Sequence, residues 1–152
     1  MRISELMSRK VVTIGPAESG LDAVVRMQRA RVRHLPVVNR DGRLVGMVTD
    51  RDLRHHLFSL RVFAALGSAP VDVLLDEVRV AEIMSTDVMT IESGASVADA
   101  AGMMRKHRVG SLPVMENGQV AGIVTEVDIL RQIARTDAPW DPECAEIIVP
   151  YP

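Results

Sequence analysis

The sequence predicts a mixed α/β (α+β) fold of two tandem β-α-β-β-α units related by an internal pseudo-two-fold. Three observations carry this: the first half of the chain recurs in the second, an Asp-Gly or Asn-Gly pair separates two apolar runs in each half, and each half closes on Gly-apolar-apolar-Thr-x-x-Asp. Ile3-Ser4-Glu5-Leu6-Met7-Ser8 recurs as Val80-Ala81-Glu82-Ile83-Met84-Ser85, an offset of 77 that holds through Thr13-Ile14/Thr90-Ile91, Arg31-Val32/Arg108-Val109 and Leu35-Pro36-Val37/Leu112-Pro113-Val114. One residue is lost in the turn, and the offset is 76 where Gly46-Met47-Val48-Thr49-Asp50-Arg51-Asp52 matches Gly122-Ile123-Val124-Thr125-Glu126-Val127-Asp128.

Each element follows in order. A short N-terminal turn precedes Val11–Ile14, a β-branched run that predicts a strand. Ser19 with Asp22 three residues on predicts a capped helix whose apolar faces carry Leu21, Ala23, Val24, Val25, Met27 and Ala30; Ser96 and Asp99 repeat that start. Leu35–Val38 and Leu44–Val48 flank Asn39-Arg40-Asp41-Gly42 and predict a hairpin. Thr49 opens a second helix with Leu53, Leu57, Leu60 and Ala64 at helical spacing. The units are expected at 1–57 and 80–135. Residues 58–79 form the link, expected as a helix extension and an extended crossing segment, and 136–152 a proline-punctuated tail. A unit of about 50 residues buries little surface alone, so the copies are expected to pack on each other through their sheets' open faces.

Composition narrows the function. The chain of 152 residues is 47% hydrophobic, with 18 Lys and Arg against 20 Asp and Glu. The net charge of -2 disfavours a nucleic-acid partner short of a local patch. The single cysteine, Cys144, cannot form an internal disulfide, and no Cys/His spacing points to a metal, so a cytoplasmic location is expected. The N-terminus reads unlike a signal peptide and no uncharged apolar run is long enough to span a membrane, so no membrane partner is expected. Aromatic residues are 3% of the chain, so a bound base would be sandwiched by aliphatic groups.

Gly46–Asp52 and Gly122–Asp128 carry the chemistry. A strand-to-helix junction offers free N–H groups to a phosphate, Thr49 or Thr125 adds a hydroxyl, and a carboxylate one turn in, Asp52 or Asp128, can accept from adjacent ribose hydroxyls. Thr-x-x-Asp is equally a capping box, as Ser19-x-x-Asp22 is, and spacing leaves both readings open. Ser/His/Asp and Cys/His sets, phosphate-loop glycines and paired carboxylates are missing from the repeated motifs, so an enzyme is not expected.

The doubled Leu-Pro-Val, the Asp-Gly or Asn-Gly turn and the closing Gly-Met-Val-Thr-Asp-Arg-Asp or Gly-Ile-Val-Thr-Glu-Val-Asp resemble a tandem pair of cystathionine-β-synthase (CBS) domains, over residues 3 to about 135. The resemblance implies two symmetry-related clefts for AMP, ADP, ATP or S-adenosylmethionine as regulatory ligand, with no other cofactor. It implies that Asp52 and Asp128 hold ribose, that Thr49 and Thr125 lie beside sugar or phosphate, and that the backbone at Val12-Thr13 and Met89-Thr90 reads the adenine edge. Basic residues before the Leu-Pro-Val strand would reach phosphate: Arg31, Arg33 and His34 in repeat one, but in repeat two only Arg108, because Gly110 and Ser111 replace the other pair. The clefts are therefore expected to be unequal, one poorer in positive charge.

The first helices also differ. Asp22, Arg26, Arg29 and Arg33 make a polar stripe in repeat one, whereas Val97–Met104 is apolar nearly all round, which predicts a homodimer with Met103 near the partner, one thick core being the alternative. The expected function is a sensor that passes occupancy to a protein partner the sequence does not identify. The alternative is a ligand-free adaptor that binds protein or nucleic acid through Arg26, Arg29, Arg31, Arg33 and Arg40.

Overall fold

The computed structural model describes residues 1–57 and 70–136. The first repeat runs α1 (Ile3–Leu6), α2 (Gly20–Ala30), β1 (His34–Val38), β2 (Leu44–Thr49) and α3 (Asp50–Leu57). After α4 (Val71–Glu77) the second runs α5 (Val80–Ile83), β3 (Ile91–Glu92), α6 (Val97–His107), β4 (Ser111–Glu116), β5 (Gln119–Thr125) and α7 (Glu126–Thr136). Leu60 and Ala64, the rest of 58–69, and the tail from 137 with Cys144 lie outside the described residues.

Local chemistry sets the ends of these elements. The Ser19 hydroxyl accepts from the Asp22 N–H at 3.1 Å while the Ser19 N–H donates to Asp22 Oδ2 at 3.0 Å, and Ser96 and Asp99 do the same at the start of α6. The Ser19 N–H and hydroxyl hold the Asp22 carboxyl below its ordinary 3.8, and Ser96 does so for Asp99. Both helices end on a left-handed arginine, Arg31 at φ 54° and Arg108 at φ 55°. Arg33 therefore lies beyond α2, and the polar stripe read from the sequence ends at Arg29. Asn117 (φ 52°) and Gly118 (φ 77°) close the β4–β5 hairpin with two positive-φ residues, matching the twist of the strands they join.

The strand expected at Val11–Ile14 is reduced to one parallel bridge, Ile14 to Val37. In repeat two the equivalent strand β3 pairs Ile91 with Val114 and Glu92 with Met115. Pro16 stands in repeat one where Ser93 stands in repeat two, and its missing N–H stops the ladder. The link departs further: Val71–Glu77 is helical, not extended, with Pro70 as its N-cap and Leu75 buried against repeat one.

The repeats interlock. Leu35, Val37 and Val48 form one core with Ile14, Ala23, Met27, Leu53 and Leu75, and Val80 of repeat two completes it. Leu112, Val114 and Val124 form the other with Ile91, Ala100, Met104 and Ile129, and Ile3 and Met7 of repeat one complete that. The backbone follows the exchange: the Ile3 N–H donates to the Ala95 carbonyl at 2.9 Å, and the Val80 N–H donates to the Glu18 carbonyl at 2.9 Å. Ser8 bridges Ile123 on β5, and Ser85 bridges Met47 on β2. The segment opening each sequence repeat thus packs in the core of the other. Met103 is half-buried against the core of its own repeat.

Candidate functional site

The exchange puts a motif from one repeat opposite a loop from the other. Gly46 has Met84 across from it: a Cβ there would meet Met84 Sδ at 2.5 Å and the Ser85 carbonyl at 3.1 Å, and at Gly122 it would meet Met7 Sδ at 2.5 Å. The glycine of the repeated motif is thus a packing requirement that lets the exchanged segment lie on the strand. Beyond that contact the chain opens into two clefts.

The larger cleft, about 940 Å³, has Thr49 and Asp52 on one side and Val88, Met89, Arg105 and Arg108 of repeat two on the other. The smaller, about 370 Å³, has Thr125 and Asp128 opposite Val11, Val12, Arg31 and Val32 of repeat one. Each acidic motif has its own cleft. Arg33 and His34 line both. Two expected residues lie off these walls. The Thr13 carbonyl accepts from Arg26 Nη1 at 2.6 Å, and Thr90 lines a separate groove with Arg43 and Val45.

At both corners the capping reading is real. The Thr49 N–H and hydroxyl donate to Asp52 Oδ2 at 2.9 and 2.7 Å, and the Asp52 N–H donates to Thr49 Oγ1 at 3.2 Å; Thr125 and Asp128 repeat this at 2.9, 2.7 and 3.3 Å. The Asp50 N–H donates to the Arg33 carbonyl at 3.1 Å and the Glu126 N–H to the Gly110 carbonyl at 3.0 Å. These N–H groups and the threonine hydroxyls make hydrogen bonds within the protein, which leaves the side-chain cations as the charged partners for an anion. The cap bonds fall on Oδ2 of each aspartate, so Oδ1 can accept from a second group; in Asp128 it lies 3.6 Å from Arg131 Nη1.

The clefts are unequal, by a route only partly visible in the Gly110-Ser111 substitution. Lys10 lines the Asp128 cleft, and Asp87, its equivalent at the offset of 77, lines the Asp52 cleft. Glu126 lines both clefts, while the Asp52 cleft also carries Asp50, 3.2 Å from Arg54. It is the one poorer in net positive charge. Sequence reading missed Lys10, Asp87, Asp50 and Glu126, although aligning the repeats beside the loop exposes the Lys10/Asp87 reversal.

His34 of repeat one lies beside Gly110 of repeat two: a Cβ at 110 would stand in ordinary van der Waals contact, 3.5 Å from His34 Nε2 and 3.5 Å from Glu126 Oε1. Burial holds His34 below its ordinary 6.5 and Arg33 adds to this, against the opposing pull of Asp50, Glu126 and Asp52. A depressed histidine favours the fold while neutral, so its contribution is complete above 6.5 and is lost as pH falls through the folded value. Between pH 7 and 5 the melting temperature should therefore fall more in the wild type than in His34→Gln, as differential scanning fluorimetry would show; equal falls would contradict it.

The arginines of the adaptor alternative have different surroundings. Arg26 pairs with Glu18, Arg31 and Arg33 face the clefts, and Arg40 sits in the hairpin turn. Among the described residues no helix is long and apolar enough to cross a membrane, and no group of three or more His, Cys, Asp or Glu could hold a metal ion.

The CBS domain pattern matches residues 3–59 and 80–135. A CBS domain-containing protein of Dictyostelium discoideum is 35% identical over 143 residues, covering 93% of this chain and 97% of that protein. Protein MJ1225 of Methanocaldococcus jannaschii is 36% identical over 133 residues, but the chain spans only 47% of its length, and 44% of a related Thermofilum pendens protein. The crystal structure of MJ1225, described as a proposed archaeal homologue of γ-AMPK, superposes with a TM-score of 0.78 at 34% identity over 88% of this chain and 48% of that one. The CBS domain pair of protein MJ0100, solved with 5′-methylthioadenosine and S-adenosyl-L-methionine, gives 0.72 at 25% identity over 90% and 98%. With both repeats matched and the fold shared, the chain belongs to the CBS domain family, as a tandem pair.

Proposed function

We propose that this CBS pair is a regulatory module that binds adenosyl ligands, among AMP, ADP, ATP and S-adenosylmethionine, in the clefts between its repeats, and passes occupancy to a protein partner. The observation that carries the reading is the composite build of the clefts: a carboxylate of one repeat faces an aliphatic loop and arginines of the other. Oδ1 of Asp52 or Asp128 accepts from ribose, Met89 or Val12 covers the base, and Arg31, Arg33, His34 and Arg108 receive the charged tail. The adenosyl ligands of the MJ0100 pair support the ligand class. Because each cleft has walls from both repeats, a ligand favours the arrangement in which those walls fit it, and a differential of about 1–3 kcal/mol suffices to shift what a partner meets.

Differential scanning fluorimetry with AMP, ADP, ATP, S-adenosylmethionine and NAD tests it. A ligand at 100 times its Kd stabilises by about 2.7 kcal/mol, and at least one adenosyl ligand should raise the melting temperature accordingly. No rise with any of them rejects the reading in favour of the adaptor.

A further inference from the structure

We infer that phosphorylated adenosyl ligands bind this chain at one per molecule, in the Asp128 cleft, because both clefts draw on the same pair of phosphate-binding donors, the Arg33 guanidinium and the His34 imidazole. The inference rests on the proposed adenosyl binding and deepens it. A molecule with exact internal two-fold symmetry would carry two such pairs, one from each repeat. Here repeat two supplies Gly110 and Ser111 instead, and the His34 imidazole of repeat one lies beside Gly110 of repeat two. Arg33, His34 and Gly110 accordingly line both clefts.

One guanidinium and one imidazole cannot serve two phosphate tails at once, and two tails converging on them would also repel each other. The cleft that holds the phosphate is decided by the remaining charges. On the Asp128 side Lys10 and Arg31 stand with the shared pair. On the Asp52 side Asp87 replaces Lys10 and Asp50 adds a further carboxylate among Arg51, Arg54, Arg105 and Arg108, while Glu126 lines both clefts. A phosphate entering there meets carboxylates as well as cations, and each phosphate oxygen without a cationic partner has exchanged water for little. A neutral tail makes no demand on the shared pair, so a ligand such as 5′-methylthioadenosine is free to fill both clefts.

Isothermal titration calorimetry of the full chain separates the possibilities. The expected result is ATP at one per chain, lost in Asp128→Ala, with 5′-methylthioadenosine at two per chain. Arg33→Ala should weaken ATP at least about tenfold and leave 5′-methylthioadenosine unchanged, since only the phosphates use the guanidinium. Two equal ATP sites per chain, or one ATP site that survives Asp128→Ala, would overturn this inference while leaving the adenosyl reading intact. Failure of both ligands to bind wild-type protein would overturn both.

Discussion

Ile3→Ala should destabilise the protein by about 2–5 kcal/mol, with the damage appearing in the second repeat, not the first. Ile3 is fully buried among Leu112, Val114 and Val124, more than 90 residues away in sequence, so its truncation leaves a cavity under β4 and β5. Against a typical net stability of about 5–15 kcal/mol that is a large fraction, equivalent to a fall in melting temperature of roughly 4–20 °C for a chain of this size. Native-state hydrogen exchange supplies the discriminating readout. Amides of Leu112, Val114 and Val124 should lose protection first, while those of Leu35, Val37 and Val48 hold nearer their wild-type values. Val80→Ala should give the mirror image. If Ile3→Ala loosened β1 and β2 and left β4 and β5 alone, the exchange of N-terminal segments would be wrong.

Removing both cleft carboxylates, Asp52→Ala with Asp128→Ala, should weaken every adenosyl ligand by at least about 100-fold, because hydrogen bonds from ribose to an ionised carboxylate contribute about 1.5–3 kcal/mol each. The same variant also loses two helix caps, at about 0.5–2 kcal/mol apiece, so a drop in affinity alone could reflect a damaged fold. The molecule contains its own control. Asp22 and Asp99 cap α2 and α6 with the same hydrogen bonds, yet line neither cleft. Asp22→Ala with Asp99→Ala should therefore lower the melting temperature comparably and leave the Kd where it was. Calorimetry on the two double variants separates the roles, and equal losses of affinity in both would show that Asp52 and Asp128 only hold their helices.

Much of this was legible in the chain. The repeat is visible because each copy must solve the same local problems: Ser19 and Ser96 satisfy orphan helix N–H groups, Gly42 and Gly118 supply positive φ in the turns, and Leu35-Pro36-Val37 and Leu112-Pro113-Val114 bury the same strand. Such requirements act over a few residues, so they leave marks in the residues themselves. Asp52 and Asp128 were found for the same reason, since their spacing from Thr49 and Thr125 fits both cap and ligand. The structure shows one oxygen of each committed to the cap.

The sequence by itself determined two copies of one unit, the order of their elements and the carboxylates at their strand-to-helix corners. Only the tertiary structure decided which copy each opening segment completes, because hydrophobic burial has no direction along the chain: Ile3 and Val80 are similar side chains and would fill either core. Since each repeat carries the same glycine and the same methionine, and either glycine would admit Met7 or Met84, Gly46 and Gly122 do not mark that choice. It is also what places Asp87 opposite Asp52 and Lys10 opposite Asp128, and so makes two clefts of like ancestry electrostatically unlike.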